Sequence, residues 1–304
     1  MARKAPLQDG LGILGKAWSE VKKINWHEVN RLCQQNFHIG LVGTESEVNA
    51  MRTWLQSFPY QPADGVDTAQ EHLSAIAAVE DGLDEKLIKS TTFCLASGEM
   101  ANEVRRMKGE VYLFAENDNE NLTTRILSNH PEVQFALAHN FPVFRPELAQ
   151  SVIQDTSFQN TAWALLTGLP NTVPGPHTIL TSPFEGISDF TLMTLNEIKL
   201  MFELVGIAGN RVVPLYHLGE FGIIIGLGKL AETLAMQTMG RVSGRAAIIV
   251  KGAIAYAFTW TIGEAVFFYA STGRKLTQRT FNDRLRHHFV RGRKVTEGMV
   301  NQLH

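Results

Sequence analysis

The sequence predicts an α/β N-terminal domain with a parallel sheet, followed by a mostly α-helical C-terminal domain. Between residues 37 and 145, short apolar segments alternate with helical patterns, as in parallel sheets covered by helices on both faces. Later in the chain, apolar residues recur at helical spacing from Phe190 to Val205, after Asp189 as a candidate N-cap. The 304 residues suffice for two domains, and 44% hydrophobic with 19% charged residues exclude a disordered chain.

This division gives four predicted segments. They are a helical lead-in at 1–36, the α/β domain at 37–140, a helical domain at 141–272 and a basic tail at 273–304. In the lead-in, Asn25 can cap a helix that begins at Trp26. We expect this helix either to pack on the domain that follows or to serve as a membrane-surface or partner helix.

The α/β domain is predicted to hold four strands and four helices. The predicted strands are Phe37–Val42, Thr91–Ala96, Val111–Ala115 and Val133–Ala138. The predicted helices are Glu47–Phe58, Ala69–Glu80, Met100–Met107 and Asn121–Asn129. Right-handed crossovers would bring the carboxyl ends of the strands to one edge, where such sheets bind ligands.

The first strand ends where nucleotide-binding proteins carry the phosphate-binding motif G-x-x-x-x-G-K-[ST]. Gly43 fits the first glycine, but Val48, Asn49 and Ala50 stand at the positions of the second glycine, the lysine and the hydroxyl residue. The groups that would contact the phosphates and Mg²⁺ are therefore missing. Gly43 and Thr44 remain the candidate nucleotide-binding residues, because backbone amides at a helix start can bind phosphate without the lysine.

A second nucleotide motif, N-K-x-D, would follow a later strand, and its aspartate would recognise guanine. After the strand at Val111, Ala115 and Glu116 replace the Asn and Lys, while Asp118 falls on the position of the aspartate. Asp118 is thus a third candidate binding residue. No D-x-x-G sequence follows the strand that ends at Ala96.

The order of these strands and damaged motifs resembles an Era-like P-loop GTPase domain. Residues 141–275 resemble the YcjF-type domain of unknown function that follows such GTPase domains in bacteria. This resemblance rests on Arg145-Pro146 at a helix start, on the segment LTLNEIKLMFELVGIAG and on a spaced small-and-aromatic pattern from Ala255 to Gly273. It implies a membrane-associated helical module joined to a GTPase-like domain whose chemistry is degenerate.

Residues 246–270 form the best candidate for a membrane-spanning helix. Twenty-five helical residues measure roughly 37 Å, which is enough to cross the hydrocarbon core. Lys251 and Glu264 count against a span, and Trp260 lies near its middle rather than at an interface. We expect residues 212–270 to form a helical hairpin that is either buried in an assembly or inserted into the membrane, with Trp260 as a candidate lipid contact.

Positive charge is concentrated after this apolar segment. The first 150 residues carry a net charge of −6 and the remainder +4, with eight basic and two acidic residues in the tail. Arg274, Lys275 and Arg279 are the candidate contacts to anionic lipid, because basic clusters beside apolar segments are typical of a cytoplasmic membrane face. Nucleic acid is the less favoured partner, since the tail carries no recognisable nucleic-acid motif.

The remaining features predict no catalytic or metal site. Two cysteines, Cys33 and Cys94, are expected to be buried thiols in a reducing compartment. The adjacent His287 and His288 would lie on different helix faces, and no signal peptide is predicted. We therefore expect a protein at the cytoplasmic face of the membrane, with protein partners or self-association.

Three functional hypotheses follow. The first is a non-catalytic pseudo-GTPase scaffold without a cofactor, acting through protein or lipid partners. The second is a divergent switch that still binds GTP. The third is an unrelated soluble α/β protein with a buried helical hairpin.

Overall fold

The secondary structure comes from a computed structural model. The residues that it describes are 25–58, 69–77, 83–107, 110–115, 119, 121–166, 189–214, 216–217 and 244–302. The N-terminal elements are α1 (Trp26–Cys33), β1 (Ile39–Gly43), α2 (Glu45–Leu55), β2 (Leu73–Ala77), α3 (Glu85–Ser90), β3 (Phe93–Ala96), α4 (Gly98–Arg106), β4 (Val111–Leu113), α5 (Leu122–Asn129) and α6 (Gln134–Asn140). The C-terminal elements are α7 (Arg145–Leu166), α8 (Asp189–Ile207), α9 (Arg245–Thr272) and α10 (Gln278–Gln302).

The described strands form one parallel sheet in the order β2-β1-β3-β4. Ile39 of β1 pairs with Leu73 on one side and with Phe93 on the other. The chain therefore leaves β1 in one direction to form β2 and then continues on the opposite side with β3. In open α/β sheets such a reversal creates a crevice at the carboxyl ends of the two central strands. A parallel sheet followed by a helical region agrees with the predicted fold class.

Two predicted elements of the α/β domain are wrong. The helix predicted at Ala69–Glu80 is instead a 3₁₀ turn at Ala69–His72 followed by β2, because pairing with β1 selects the strand for a short apolar segment. The strand predicted at Val133–Ala138 is instead largely helix α6. Phe135 through Ala138 are all buried, so this helix lacks the polar face that would reveal its period.

The lead-in helix α1 confirms its predicted cap and packs on the rest of the chain. The Asn25 side chain accepts a hydrogen bond from the Glu28 amide at 3.3 Å. Asn30 exchanges two hydrogen bonds with the backbone of Val212, at 3.1 and 3.0 Å. A side chain on Gly206 of α8 would clash with Cys33. Helix α1 thus attaches the sheet to the C-terminal helices.

A second attachment lies around Arg145, at the start of α7. Its guanidinium donates to the carbonyls of Ala138 and His139 at the end of α6, at 3.1 and 3.0 Å. His139 Nδ1 lies 2.7 Å from the carbonyl oxygen of Gly206. Burial lowers the pKa of Arg145 to about 10. One hydrophobic core is continuous from the sheet to α8 and α9, across the predicted boundary between residues 140 and 141.

Helix α9 is the centre of the C-terminal half and packs against α7, α8 and α10. Glycines permit its closest contacts: a side chain at Gly252 would clash with Thr296, and one at Gly263 with Ile153. Gly273 ends the helix in the left-handed conformation, with φ of 68°. The predicted basic tail then forms α10, which returns along α9 and buries His288, Gly292, Thr296 and Val300.

Among the described residues, α9 is the helix with the length and apolar composition to cross a membrane. Within the protein, 67% of its most apolar window is buried. Core helices of soluble proteins share both properties. Within the predicted hairpin of residues 212–270, residues 215 and 218–243 lie outside the described residues.

Candidate functional site

The connection between β1 and α2 stands where the sequence suggests a phosphate-binding loop. The strand ends at Gly43 and the helix begins at Glu45, so Thr44 alone connects them. Val48 lies inside the helix and is buried in the core, and Asn49 and Ala50 follow on the same helix. The motif positions therefore belong to the first two turns of α2 rather than to a loop around a ligand.

The start of α2 is closed by its own side chains. Thr44 is the N-cap, and its backbone amide donates to Glu47 Oε2 at 2.7 Å. The Thr44 hydroxyl lies 2.9 Å from the same oxygen and accepts a hydrogen bond from the Glu47 amide at 3.4 Å. This reciprocal arrangement is a capping box, and it satisfies backbone donors that a helix start otherwise leaves free.

The Glu47 carboxylate also reaches the neighbouring strand. A hydrogen bond from Ser97, directly after β3, and the amide and hydroxyl of Thr44 hold the pKa of Glu47 below its ordinary value. A Cβ atom at Gly43 would lie 2.8 Å from Glu47 Oε2, so Gly43 leaves the space that the carboxylate occupies. An anionic group of the protein itself thus lies between the ends of β1 and β3, in the crevice where the strand order reverses.

Of the predicted nucleotide residues, Gly43 and Thr44 are brought together at this edge, whereas Asp118 lies outside the described residues. Sequence reasoning missed Glu47 and Ser97. The spacing T-x-x-E at the start of an apolar helix is a capping-box signature and could have identified Glu47. No local pattern marks Ser97, because its contact depends on the strand order.

A second polar site lies on α9, between α7 and α10. Glu264 accepts hydrogen bonds from Trp260 Nε1 at 3.2 Å and from Arg284 Nη1 at 3.0 Å. His288 Nε2 lies 3.1 Å from Glu264 Oε2, the same oxygen that Arg284 contacts. The Glu264 side chain is 26% exposed. A charge that would oppose membrane insertion of α9 is therefore paired with groups from α10.

Burial would raise the pKa of Glu264, but the opposing contacts prevail. The hydrogen bonds from His288 and Arg284 and the positive charge of Arg284 hold the pKa of Glu264 below its ordinary value of 4.5. The carboxylate is thus charged at neutral pH and holds α10 against α9.

These side chains line a cavity of about 730 Å³, within the range of small-molecule sites. Its apolar walls are formed by Ile153 of α7 and by Phe267 and Phe268 in the C-terminal part of α9. The guanidinium carbon of Arg291 lies 4.4 Å from the centre of the Trp260 ring, and His288 stacks on the same indole with 5.3 Å between ring centres.

The predicted lipid contacts differ in their accessibility. Arg274 and Lys275 lie in the turn between α9 and α10, and Arg279 lies in the first turn of α10; all three are exposed. Trp260 is only 3% exposed and is covered by side chains of α10. A lipid contact at Trp260 would require α10 to move.

The remaining sequence predictions concern the two cysteines and metal binding. Cys33 and Cys94 are both buried free thiols, and burial raises the pKa of Cys33 to about 12. Within the described part of the chain, no group of three or more His, Cys, Asp or Glu side chains is arranged to bind a metal ion.

Comparisons with known proteins add no relative: no protein family, no curated protein and no solved structure shows detectable similarity to this chain.

Proposed function

We propose that this protein is a non-catalytic scaffold, in which a GTPase-like α/β domain is joined to a membrane-associated helical module and acts through protein or lipid partners. The observation that carries the proposal is the position of the Glu47 carboxylate. The carboxylate accepts a hydrogen bond from the Thr44 amide and lies against Gly43. These are the two residues that would be the first to contact a phosphate.

Electrostatics oppose a phosphate at this edge. Helix starts bind anions through free amides and a partial positive charge. Here the carboxylate already uses that charge, and a phosphate would also meet it as a like charge. Displacing Glu47 would cost about 1 kcal/mol of capping stability. With Asn49 in place of the lysine, the first two turns of α2 carry no cation that would replace this loss, and Arg52 lies in the last turn.

The lipid part of the proposal rests on the exposed cations of the last helix. Arg279 is exposed in the first turn of α10. Arg274 and Lys275 are exposed in the turn that precedes it, so three cations lie close together along the chain. Near an anionic membrane surface each such charge contributes about 1 kcal/mol.

The competing function is a switch that binds GTP. The strand order favours it, because β1 and β3 flank a crevice of the kind that binds nucleotides in other α/β sheets. The two functions differ in one direct measurement, which is nucleotide affinity.

The purified protein should be titrated with fluorescent GTP and ATP analogues, with and without Mg²⁺. The scaffold proposal expects no saturable signal up to millimolar nucleotide. Saturable binding in the micromolar range would overturn it and favour the switch.

The lipid partner should be tested by co-sedimentation with vesicles. Replacing Arg274, Lys275 and Arg279 by Gln is expected to weaken binding to phosphatidylglycerol vesicles about 100-fold, at about 1 kcal/mol per charge. The matched control replaces three exposed cations of the α/β half, Lys86, Arg105 and Arg106. Equal losses in both variants would contradict a specific lipid-binding face.

A further inference from the structure

The cavity between α7, α9 and α10 has features that neither the scaffold nor the lipid-binding face uses. Its volume of about 730 Å³ is large enough for a small organic molecule. One wall is apolar, with Ile153, Phe267 and Phe268. The facing helix contributes Arg284, His288 and Arg291. A ligand that fits both walls has an apolar body and a charged or polar head.

The charge of that head follows from which groups are already paired. Arg284 is engaged with Glu264, and this carboxylate also meets His288 and Trp260. Arg291 differs: in the described part of the chain, no carboxylate lies within ion-pairing distance of its guanidinium and no acceptor is hydrogen-bonded to it. Its N–H donors are therefore available to an anion.

Stacking also fixes Arg291 in place. Its guanidinium lies over the indole of Trp260, which is itself held by Glu264. A cation held in this way loses little side-chain freedom when an oxyanion binds, which favours affinity. His288, also in the cavity wall, has a second buried polar atom, Nδ1, that lacks a hydrogen-bond partner among the described residues.

One acidic group of the cavity wall opposes this assignment. Asp283 also lines the cavity, but it is exposed and lies two turns before Arg291 on the same helix. Eight residues of helix separate the two positions by about 12 Å along the axis, which exceeds the Debye length of about 8 Å at physiological ionic strength, so salt screens the repulsion. The carboxylate of Glu264 is neutralised by its own partners.

We propose that this cavity binds a single-chain amphiphile with an oxyanion head, such as an alkyl phosphate or a fatty carboxylate. The head accepts hydrogen bonds from Arg291, and the chain lies against Phe267 and Phe268. This goes beyond the proposed scaffold function and does not rest on it, since the site is separate from the sheet edge.

Calorimetric titration with monomeric octyl phosphate tests the proposal. We expect saturable binding that is at least tenfold tighter than that of inorganic phosphate, which lacks the chain, and of octyl glucoside, which lacks the charge. Equal affinity for octyl glucoside would show that only apolar contact matters and would overturn the assignment. An absence of octyl phosphate binding would overturn it as well.

Two variants place the binding at the cavity. Arg291→Gln should reduce octyl phosphate affinity tenfold or more, while Arg286→Gln should change it less than twofold, because Arg286 is exposed on the same helix but does not line the cavity. Gln150→Glu, at an exposed position of the α7 wall, should also weaken binding by adding a like charge. Equal losses for Arg286→Gln and Arg291→Gln would contradict a defined site.

Vesicles distinguish a bilayer lipid from a soluble ligand. If Arg291→Gln weakens binding to phosphatidylglycerol vesicles more than Arg286→Gln does, the head group comes from the bilayer. If only the monomeric amphiphile responds to Arg291→Gln, the natural ligand is a soluble molecule. Either result supports ligand binding in the cavity. A failure of the cavity proposal would not affect the nucleotide titration, which tests the scaffold function separately.

Discussion

A carboxylate is central to both the β1–α2 junction and the α9–α10 packing, but the two carboxylates have different kinds of partner. Glu47 is held by groups within three residues and by one hydroxyl of the next strand. Glu264 is held by Trp260 one turn away and by Arg284 and His288, which are twenty or more residues away on another helix. We therefore expect the first arrangement to disfavour an anion and the second to leave a neighbouring cation, Arg291, available to one. The effect of a carboxylate on ligand binding thus depends on which groups it pairs with.

The largest expected effect concerns the packing that brings α10 to Glu264. A side chain at Gly292 would lie 2.9 Å from the Tyr256 Cβ and 3.0 Å from the Ala253 carbonyl. Gly292→Ala should therefore lower the free energy of unfolding by about 2 kcal/mol, as measured by chemical denaturation. The matched control is Gly298→Ala on the same helix, where the new Cβ meets nothing within 4 Å. That variant should be stabilised by up to about 1 kcal/mol, and equal effects would contradict close packing at Gly292.

The next effect concerns the ion pairs of α9. Glu264→Gln removes the charge that Arg284 and His288 contact, and should lower the free energy of unfolding by about 1.5 kcal/mol at pH 7. The size is moderate because the side chain is 26% exposed. A matched control is Glu297→Gln, since Glu297 pairs with Arg293 on the exposed face and should cost only a few tenths of a kcal/mol.

The contacts of Glu264 with Arg284 and His288 also predict that the free energy of unfolding depends on pH. Because the folded state lowers the pKa of Glu264, its stabilising contribution is complete above the unfolded value of 4.5 and is lost as pH falls through the lower folded value. The difference in unfolding free energy between wild type and Glu264→Gln should therefore shrink below about pH 4.5. A difference that stays constant from pH 7 to pH 3 would show that the charge is not responsible.

The smallest expected effect on stability concerns the closed helix start. Glu47→Gln weakens the capping box and should lower the free energy of unfolding by about 1 kcal/mol or less. Glu45→Gln is the matched control, because Glu45 lies in the same first turn without contacting Thr44. If the carboxylate excludes phosphate, Glu47→Gln should bind nucleotide more tightly than wild type, whereas Glu45→Gln should bind it as wild type does. Weaker nucleotide binding in Glu47→Gln would show instead that Glu47 supports a ligand.

Sequence patterns predicted the elements whose signals are local. Strands β1, β3 and β4 and helices α2 and α8 were expected within a few residues of their observed bounds, and Asn25 was identified as a cap. Each of these rests on neighbouring residues, whose spacing is visible in the chain itself.

Elements that depend on distant partners were not predictable in this way. The segment of β2 became a strand because β1 offered its hydrogen-bonding edge, and α6 became a helix in surroundings that bury its four central residues. The cavity was missed for the same reason. Its groups come from three helices, and only packing of α10 on α9 brings Arg284, His288 and Arg291 to Trp260 and Glu264.

The sequence by itself therefore determined the α/β and helical parts, the missing phosphate-binding groups and the row of cations after the apolar helix. Only the tertiary structure decided what occupies the sheet edge and what pairs with the charge in α9. The physical reason is that helix and strand signals depend on local spacing, whereas the partner of a buried or half-buried charge is chosen by the packing of the whole chain.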